Sequence, residues 1–175
     1  MVMPANTRST IARYALIGAC LMLLSGCGFQ LRGTADLPAV MAETYLDMPD
    51  RYGEFGRALE RTLEGNGISI VEDQAQASAQ IKFNTVRFQR TAASFAGTAR
   101  IREYRLSFIV DFQVLDPDGS PLSTRRRVEI FRDYSFDEQE ILAATREEEF
   151  LRRDIEAAMV NELMRRLEEL NIKEA

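Results

Sequence analysis

From Tyr104 to Val114 every second residue is large and apolar: Tyr104, Leu106, Phe108, Val110, Phe112 and Val114. Arg105, Ser107, Ile109, Asp111 and Gln113 stand between them. A strict period of two belongs to an extended strand, whose side chains point alternately to opposite faces. The run therefore predicts one long strand with a buried face and a mostly wet face. Its neighbours in sequence supply partners. "DPDG", Asp116 to Gly119, has proline second and glycine fourth, as a type I turn prefers. Beyond it Val128, Ile130, Tyr134 and Phe136 share one phase. Upstream, Ile81 to Phe88 is a third run whose apolar phase slips between Phe83 and Val86, so a bulge is expected near Asn84 and Thr85. With a loop from Thr91 to Ala99, these three runs make an antiparallel meander.

The flanks read differently. Val40 to Met48 alternates loosely and reads as a first strand, broken by Pro49-Asp50. Asp50 is a candidate cap for a helix reaching about Glu64, with Phe55, Leu59 and Leu63 four apart on one face. Gly65-Asn66-Gly67 ends it, because glycine accepts the left-handed conformation that closes helices. Ile68 to Val71 reads as a brief strand and "QASAQ" after it as a linker. Near the carboxyl end Leu151, Ile155, Met159, Leu163, Leu167 and Leu170 mark a helix. Glu148 and Arg152, Glu149 and Arg153, and Glu162 and Arg166 stand i, i+4 along it. The predicted class is α+β: a two-layer sandwich, its mostly antiparallel four-stranded sheet carrying two helices on one face. Its wet face is expected to collect Arg105, Asp111, Gln113, Arg125, Arg127 and Glu129.

The amino end is a targeting segment. Arg8 and Arg13, with no acid, precede an apolar run of ten residues, Ala15 to Leu24. Crossing a bilayer takes about 20 such residues, whereas a basic start, a short apolar stretch and small exit residues describe a secretory signal peptide. Leu24-Ser25-Gly26-Cys27 resembles the bacterial lipobox, in which the cysteine is acylated and cleavage falls just before it. The expected organisation is a removed signal over residues 1–26, a lipidated tether over 27–39 and one domain over 40–175. Cys20 leaves with the signal and Cys27 takes lipid, so neither a disulfide nor a free thiol is expected afterwards.

From residue 27 onward the charge is uneven: 4 basic and 9 acidic residues to Ile81, 10 and 5 from Lys82 to Arg132, then 6 and 13 to the end. A basic middle between acidic flanks points to a binding surface. The chain has no histidine, which removes histidine-based acid–base chemistry and the usual zinc sites. No phosphate-cradling glycine pattern is present. The expectation is a non-enzyme without metal or cofactor. The export signal argues against a nucleic-acid partner for the basic segment.

"CGFQLRG" at Cys27 to Gly33, "LERTLEGNGISIV" at Leu59 to Val71, "REYRLSFIVDFQVLD" at Arg102 to Asp116 and "FRDYSFDEQEILA" at Phe131 to Ala143 appear in that order. Together they resemble the LPS-assembly lipoprotein LptE (RlpB) family over essentially all of the chain after the signal. The resemblance implies a two-layer α/β sandwich seated inside the outer-membrane barrel LptD, as part of the translocon that delivers lipopolysaccharide to the cell surface. It also implies lipopolysaccharide binding by cations near the loop before the long strand. That loop, "TAASFAGTA", carries none, so the nearest candidates are Arg100 and Arg102, followed by Arg105. Arginine suits phosphates because its planar fork donates paired hydrogen bonds. Gly28 after the cysteine is not the aspartate that retains lipoproteins in the inner membrane, which implies a lipid-anchored outer-membrane protein facing the periplasm and the barrel lumen. The competing reading is a scaffold lipoprotein of another envelope complex that does not bind lipopolysaccharide.

Cys27→Ala is expected to block acylation and move the protein to a soluble or unprocessed form. Mass spectrometry of the mature amino terminus checks this, and an unmodified Cys27 in the wild type overturns it.

Overall fold

The period-two run is strand β4, Ile101–Leu115, in a computed structural model that describes residues 37–95, 101–135 and 141–170. At Ser94, Phe95, Ile101, Arg102, Ile141 and Ala143 only the backbone is described. β4 lies between β3, Ala79–Phe95, and β5, Arg126–Ser135, antiparallel to both. Phe108 stands opposite Phe88 on one side and Ile130 on the other. Leu106, Phe108, Val110, Phe112 and Val114 are each at most 2 % exposed, so the apolar phase forms the floor of the core. The expected bulge is present. Phe83 pairs with Phe112 and Thr85 with Asp111, leaving Asn84 over. The extra residue moves the apolar phase from odd to even, so Phe83 before it and Val86 and Phe88 after it all pack on the core. The turn after β4 closes through the Gly119 N–H to the Asp116 carbonyl at 3.0 Å, with Gly119 at a left-handed φ of +86°.

The amino-terminal half corrects the expected sheet. It has five strands, not four, in the order β2-β1-β3-β4-β5. β1, Glu43–Asp47, pairs parallel with both β2, Ser69–Val71, and β3. The sheet is thus mixed, half meander and half crossover. The cause is helix α1, Glu54–Gly65, between β1 and β2. A helical return brings the chain back to the end where it began, which makes the next strand parallel. A 3₁₀ turn, Gln74–Gln76, then carries the chain across β1 to β3. "QASAQ" is therefore not a free linker: Ala77 and Ala79 are buried, and the Ser78 hydroxyl donates to the Val40 carbonyl at 2.7 Å. The first strand is also shorter than Val40 to Met48. A 3₁₀ turn, Ala39–Met41, precedes it, and Leu37, Val40 and Met41 pack on the core.

α1 begins at Glu54 behind Gly53, so Asp50 is not its cap. The residues between form a turn held by Arg51. This buried guanidinium reaches Glu60 on α1 at 3.1 Å and Glu72 after β2 at 2.9 Å. Three segments converge on one cation, and the turn stays outside the helix. The carboxyl end of α1 follows the sequence. Gly67, at φ +87°, donates to the Glu64 carbonyl, and the Ile68 N–H to that of Leu63, the paired bonds of a Schellman motif. Ile68 and Leu63 are both buried, which supplies the motif's apolar contact. Helix α2, Ile141–Glu168, packs beside α1 on the same face of the sheet. Its Ile155, Met159, Leu163 and Leu167, together with Phe55, Leu59 and Leu63 of α1, close the core. Phe55 sets its edge against Phe108, centroids 5.0 Å apart.

Among the described residues the opposite face of the sheet carries no helix, yet its middle is not wet. Ser107, Ile109 and Asp111 are buried. β4 is central, with a paired strand on each side, and Arg125 bonds Asp111 at 2.6 Å.

Two glycines of α1 should respond oppositely to alanine. A Cβ on Gly56 would overlap the Arg51 carbonyl, whereas one on Gly65 meets nothing within 4 Å. Gly56→Ala is expected to cost about 1–3 kcal/mol as an overpacked contact, and Gly65→Ala to stabilise by about 0.5–1 kcal/mol. Denaturant melts of the two variants check the opposite signs.

Candidate functional site

The meander and α2 gather arginines at the end of the sheet where β3 stops, β4 starts and β5 stops. Of the three cations marked in the sequence, Arg105 is the one whose side chain is described. Arg100 and Cys27 lie outside the described residues, and Arg102 is described by its backbone alone, second in β4. Arg105 projects on the helix-free face opposite Asp133 of β5. Its Nε and Nη2 donate to the two Asp133 oxygens at 2.7 and 2.8 Å. Its guanidinium lies 4.1 Å above the half-exposed Phe131 ring. The fork is thus fixed by a cross-strand acid and an aromatic face. The bond from Arg105 holds the Asp133 carboxyl below its ordinary range, so the pair stays ionised at neutral pH. Three of the five guanidinium N–H groups remain for other contacts.

On the inner face of the same end lies a cluster that the sequence reading did not mark. Glu148 of α2 accepts from the Tyr134 hydroxyl of β5 at 2.7 Å and from Arg90 Nη1 of β3 at 3.0 Å. Arg152, one turn along α2, stands 3.6 Å from its other oxygen. Arg90 lies over the Tyr104 ring at 4.8 Å and Arg152 over Phe88 at 4.4 Å. Tyr104 stacks on Tyr134, and Phe88 on Phe108. The cluster borders a cavity of about 270 Å³ reached by Arg90, Tyr134, Thr145, Glu148 and Arg152. Burial pushes the Glu148 carboxyl up, but the bonds from Tyr134 and Arg90 outweigh it and leave it below its ordinary range. Burial, reinforced by the bond to Glu148, pushes the Tyr134 hydroxyl up to about 12.

The signal that could have placed Arg90 was the bulge. After Asn84 the core phase runs through Val86 and Phe88, and the next position in that phase is Arg90. Glu148 and Arg152 were noted as an i, i+4 pair, but the meeting of that pair with Arg90 depends on how α2 is turned about its axis. The arginines that follow the turn are divided between the two ends of the sheet. Arg125 bonds Asp111 at 2.6 Å and Arg126 stands 3.7 Å from Glu169, both towards the turn end of β4. Arg132 is opposite Leu106, nearer the Arg105 end, and pairs with Asp154 of α2 at 2.8 Å.

Fold and charge together define a small two-layer α+β domain with an arginine-bearing sheet face that no helix covers among the described residues. The LptE family model, described as lipopolysaccharide-assembly, matches residues 41–167, and the chain belongs to that family. It is 29 % identical over 152 residues to the LPS-assembly lipoprotein LptE of Photorhabdus laumondii, a match spanning 87 % of this chain and 82 % of that one. It is 31 % identical over 156 residues to that of Yersinia enterocolitica, covering 87 % and 73 %. The solution structure of lipoprotein B from Nitrosomonas europaea shares the fold, with a TM-score of 0.66 and 26 % identity over 79 % of this chain and 88 % of that one.

The Tyr134 environment makes a titration test. A phenol whose pKa is raised by folding contributes stability that is whole below its unfolded value near 10 and is lost as pH rises through about 12. An ultraviolet titration of the folded protein should show one late phenolate step near pH 12, absent in Tyr134→Phe.

Proposed function

We propose that this protein is an outer-membrane lipoprotein, held by acyl chains on Cys27, that sits in an LptD barrel, supports its assembly and takes part in delivering lipopolysaccharide to the cell surface. Membership of the LptE family supports the assembly role. The name of the Photorhabdus relative, LPS-assembly lipoprotein LptE, supports the link to lipopolysaccharide. Two or more acyl chains would give a stable anchor where a single chain binds only marginally. Among the described residues no helix is long and apolar enough to cross a membrane, and an acyl anchor requires none.

The observation that carries the partner reading is the sheet's helix-free face. Barrel lumens are polar, and a plug suits them when its exposed surface is mixed in charge rather than greasy. Arg105 paired with Asp133, Arg125 paired with Asp111, and the exposed Arg127 and Glu129 make such a surface. For lipopolysaccharide we assign the β3–β4 end, with Arg100 and Arg102 as phosphate contacts and Arg105 as a cation already fixed in place. A pre-set guanidinium loses less freedom when an anion arrives than a free one does.

Replacing Arg100 and Arg102 together with glutamate is expected to weaken lipopolysaccharide binding by the full lipoprotein in detergent. The loss should be larger at low ionic strength, where screening is least. Melting temperature and co-purification with the barrel should stay close to wild type. Unaltered lipopolysaccharide binding with loss of the barrel overturns the assignment of the two partners to these surfaces.

A further inference from the structure

The first turns of α2 are held differently from the rest of the helix. Between Leu142 and Phe150 Ala144 is buried and Glu148 is half-buried, while Thr145, Arg146, Glu147 and Glu149 are exposed. Leu142 and Phe150 are 78 % and 62 % exposed, so their apolar surface faces solvent. From Ile155 onward the helix buries Met159, Val160, Leu163, Met164 and Leu167 as well. Apolar burial secures the second part. The first part has little of it, and segments with few buried contacts open at low free energy. Among the described contacts, Glu148 ties the first part to the sheet. One carboxylate accepts from Tyr134 on β5 and Arg90 on β3, strands on either side of β4, with Arg152 of its own helix beside it.

We propose that residues 142–150 are an arm that opens and closes against the sheet as one unit, with Glu148 as its latch. The groups facing the latch are the cations Arg90 and Arg152 and the neutral Tyr134 hydroxyl, and a cavity borders them, so the neighbours are not packed solid. Closing buries neither Leu142 nor Phe150, so it gains little from the hydrophobic effect. The balance rests on polar contacts whose net contributions are small, which suits a reversible element. Opening breaks the Tyr134 and Arg90 bonds together and uncovers the rim of the stacked Tyr104–Tyr134 pair. Arg90 remains over the Tyr104 ring, so one side of the latch stays placed for re-closure. The hinge lies at Leu151 and Arg152, where apolar burial begins and Arg152 stacks on Phe88.

Hydrogen–deuterium exchange of the full chain in detergent, followed by mass spectrometry, tests this. In the wild type, amides of residues 145–150 should exchange well before those of 155–168. Glu148→Ala should speed exchange over 145–150 by about tenfold or more and leave 155–168 and the sheet unchanged. Tyr134→Phe, which removes one donor and keeps the ring, should give a smaller increase in the same segment. Glu147→Ala, on the exposed side, should give none. Equal wild-type protection along all of α2, no change in Glu148→Ala, or a loss spread evenly over helix and sheet each overturns the arm.

Discussion

The structure depends on β4 having a hydrogen-bonded strand on each side over most of its length. A strand so placed cannot slip without moving both neighbours, and a slip by one residue would exchange its faces. Its apolar phase is therefore committed to the helices and its polar phase to the open side. The bulge at Asn84 extends that commitment to β3. Without the extra residue either Phe83 or the Val86–Phe88 pair would face the wrong layer. Phe55, Leu59 and the core residues of α2 then have one floor to cover, and both helices lie on it.

The same register explains how charge is arranged. Arg105 meets Asp133 because antiparallel pairing sets them opposite on one face, and Arg90 falls beneath α2 because the bulge puts it in the core phase. The two arginines lie at one end of the sheet but on opposite faces, with different company. Arg105 is stacked and forked at the surface, while Arg90 shares a half-buried carboxylate with a tyrosine. One end of the fold therefore joins a fixed cationic surface to a fastening for the helix behind it.

The meander was legible in the sequence because its signals are local. Alternation, a Pro/Gly turn and a phase slip each lie within a few residues, and so do the glycines that close α1. Of the parallel half, both strands were legible but their pairing was not. β2 is three residues long, too short to show a period, and its direction follows from the path of the chain through α1. Asp50 looked like a cap because capping preference is a local statistic. It lost to Arg51, whose partners Glu60 and Glu72 come from distant segments. The buried middle of the open face was missed for a similar reason. Ser107 and Asp111 are polar by type, and their burial depends on the central place of β4 in the sheet. Of the sites, the cysteine proposed to take lipid was read from a contiguous motif, whereas the Arg90–Tyr134–Glu148 cluster is assembled from a strand, a second strand and a helix.

The parallel half also bears on the order in which the chain can be assembled. β3 pairs with β4 and β4 with β5, each with its immediate successor, contacts that a chain can make early. β1 is different: the Glu43 N–H reaches the Ser78 hydroxyl across 35 positions, and its neighbour β3 comes after both α1 and β2. Synthesis from the amino end delivers β1 first, yet β1 has no complete seat until β3 exists. Leu46 and Met41, both deep in the finished core, must wait exposed through that interval. The segment at residues 37–48 is thus among the first made, while its partner β3 is made later. A chaperone that shields it would cover apolar surface that the finished core takes up.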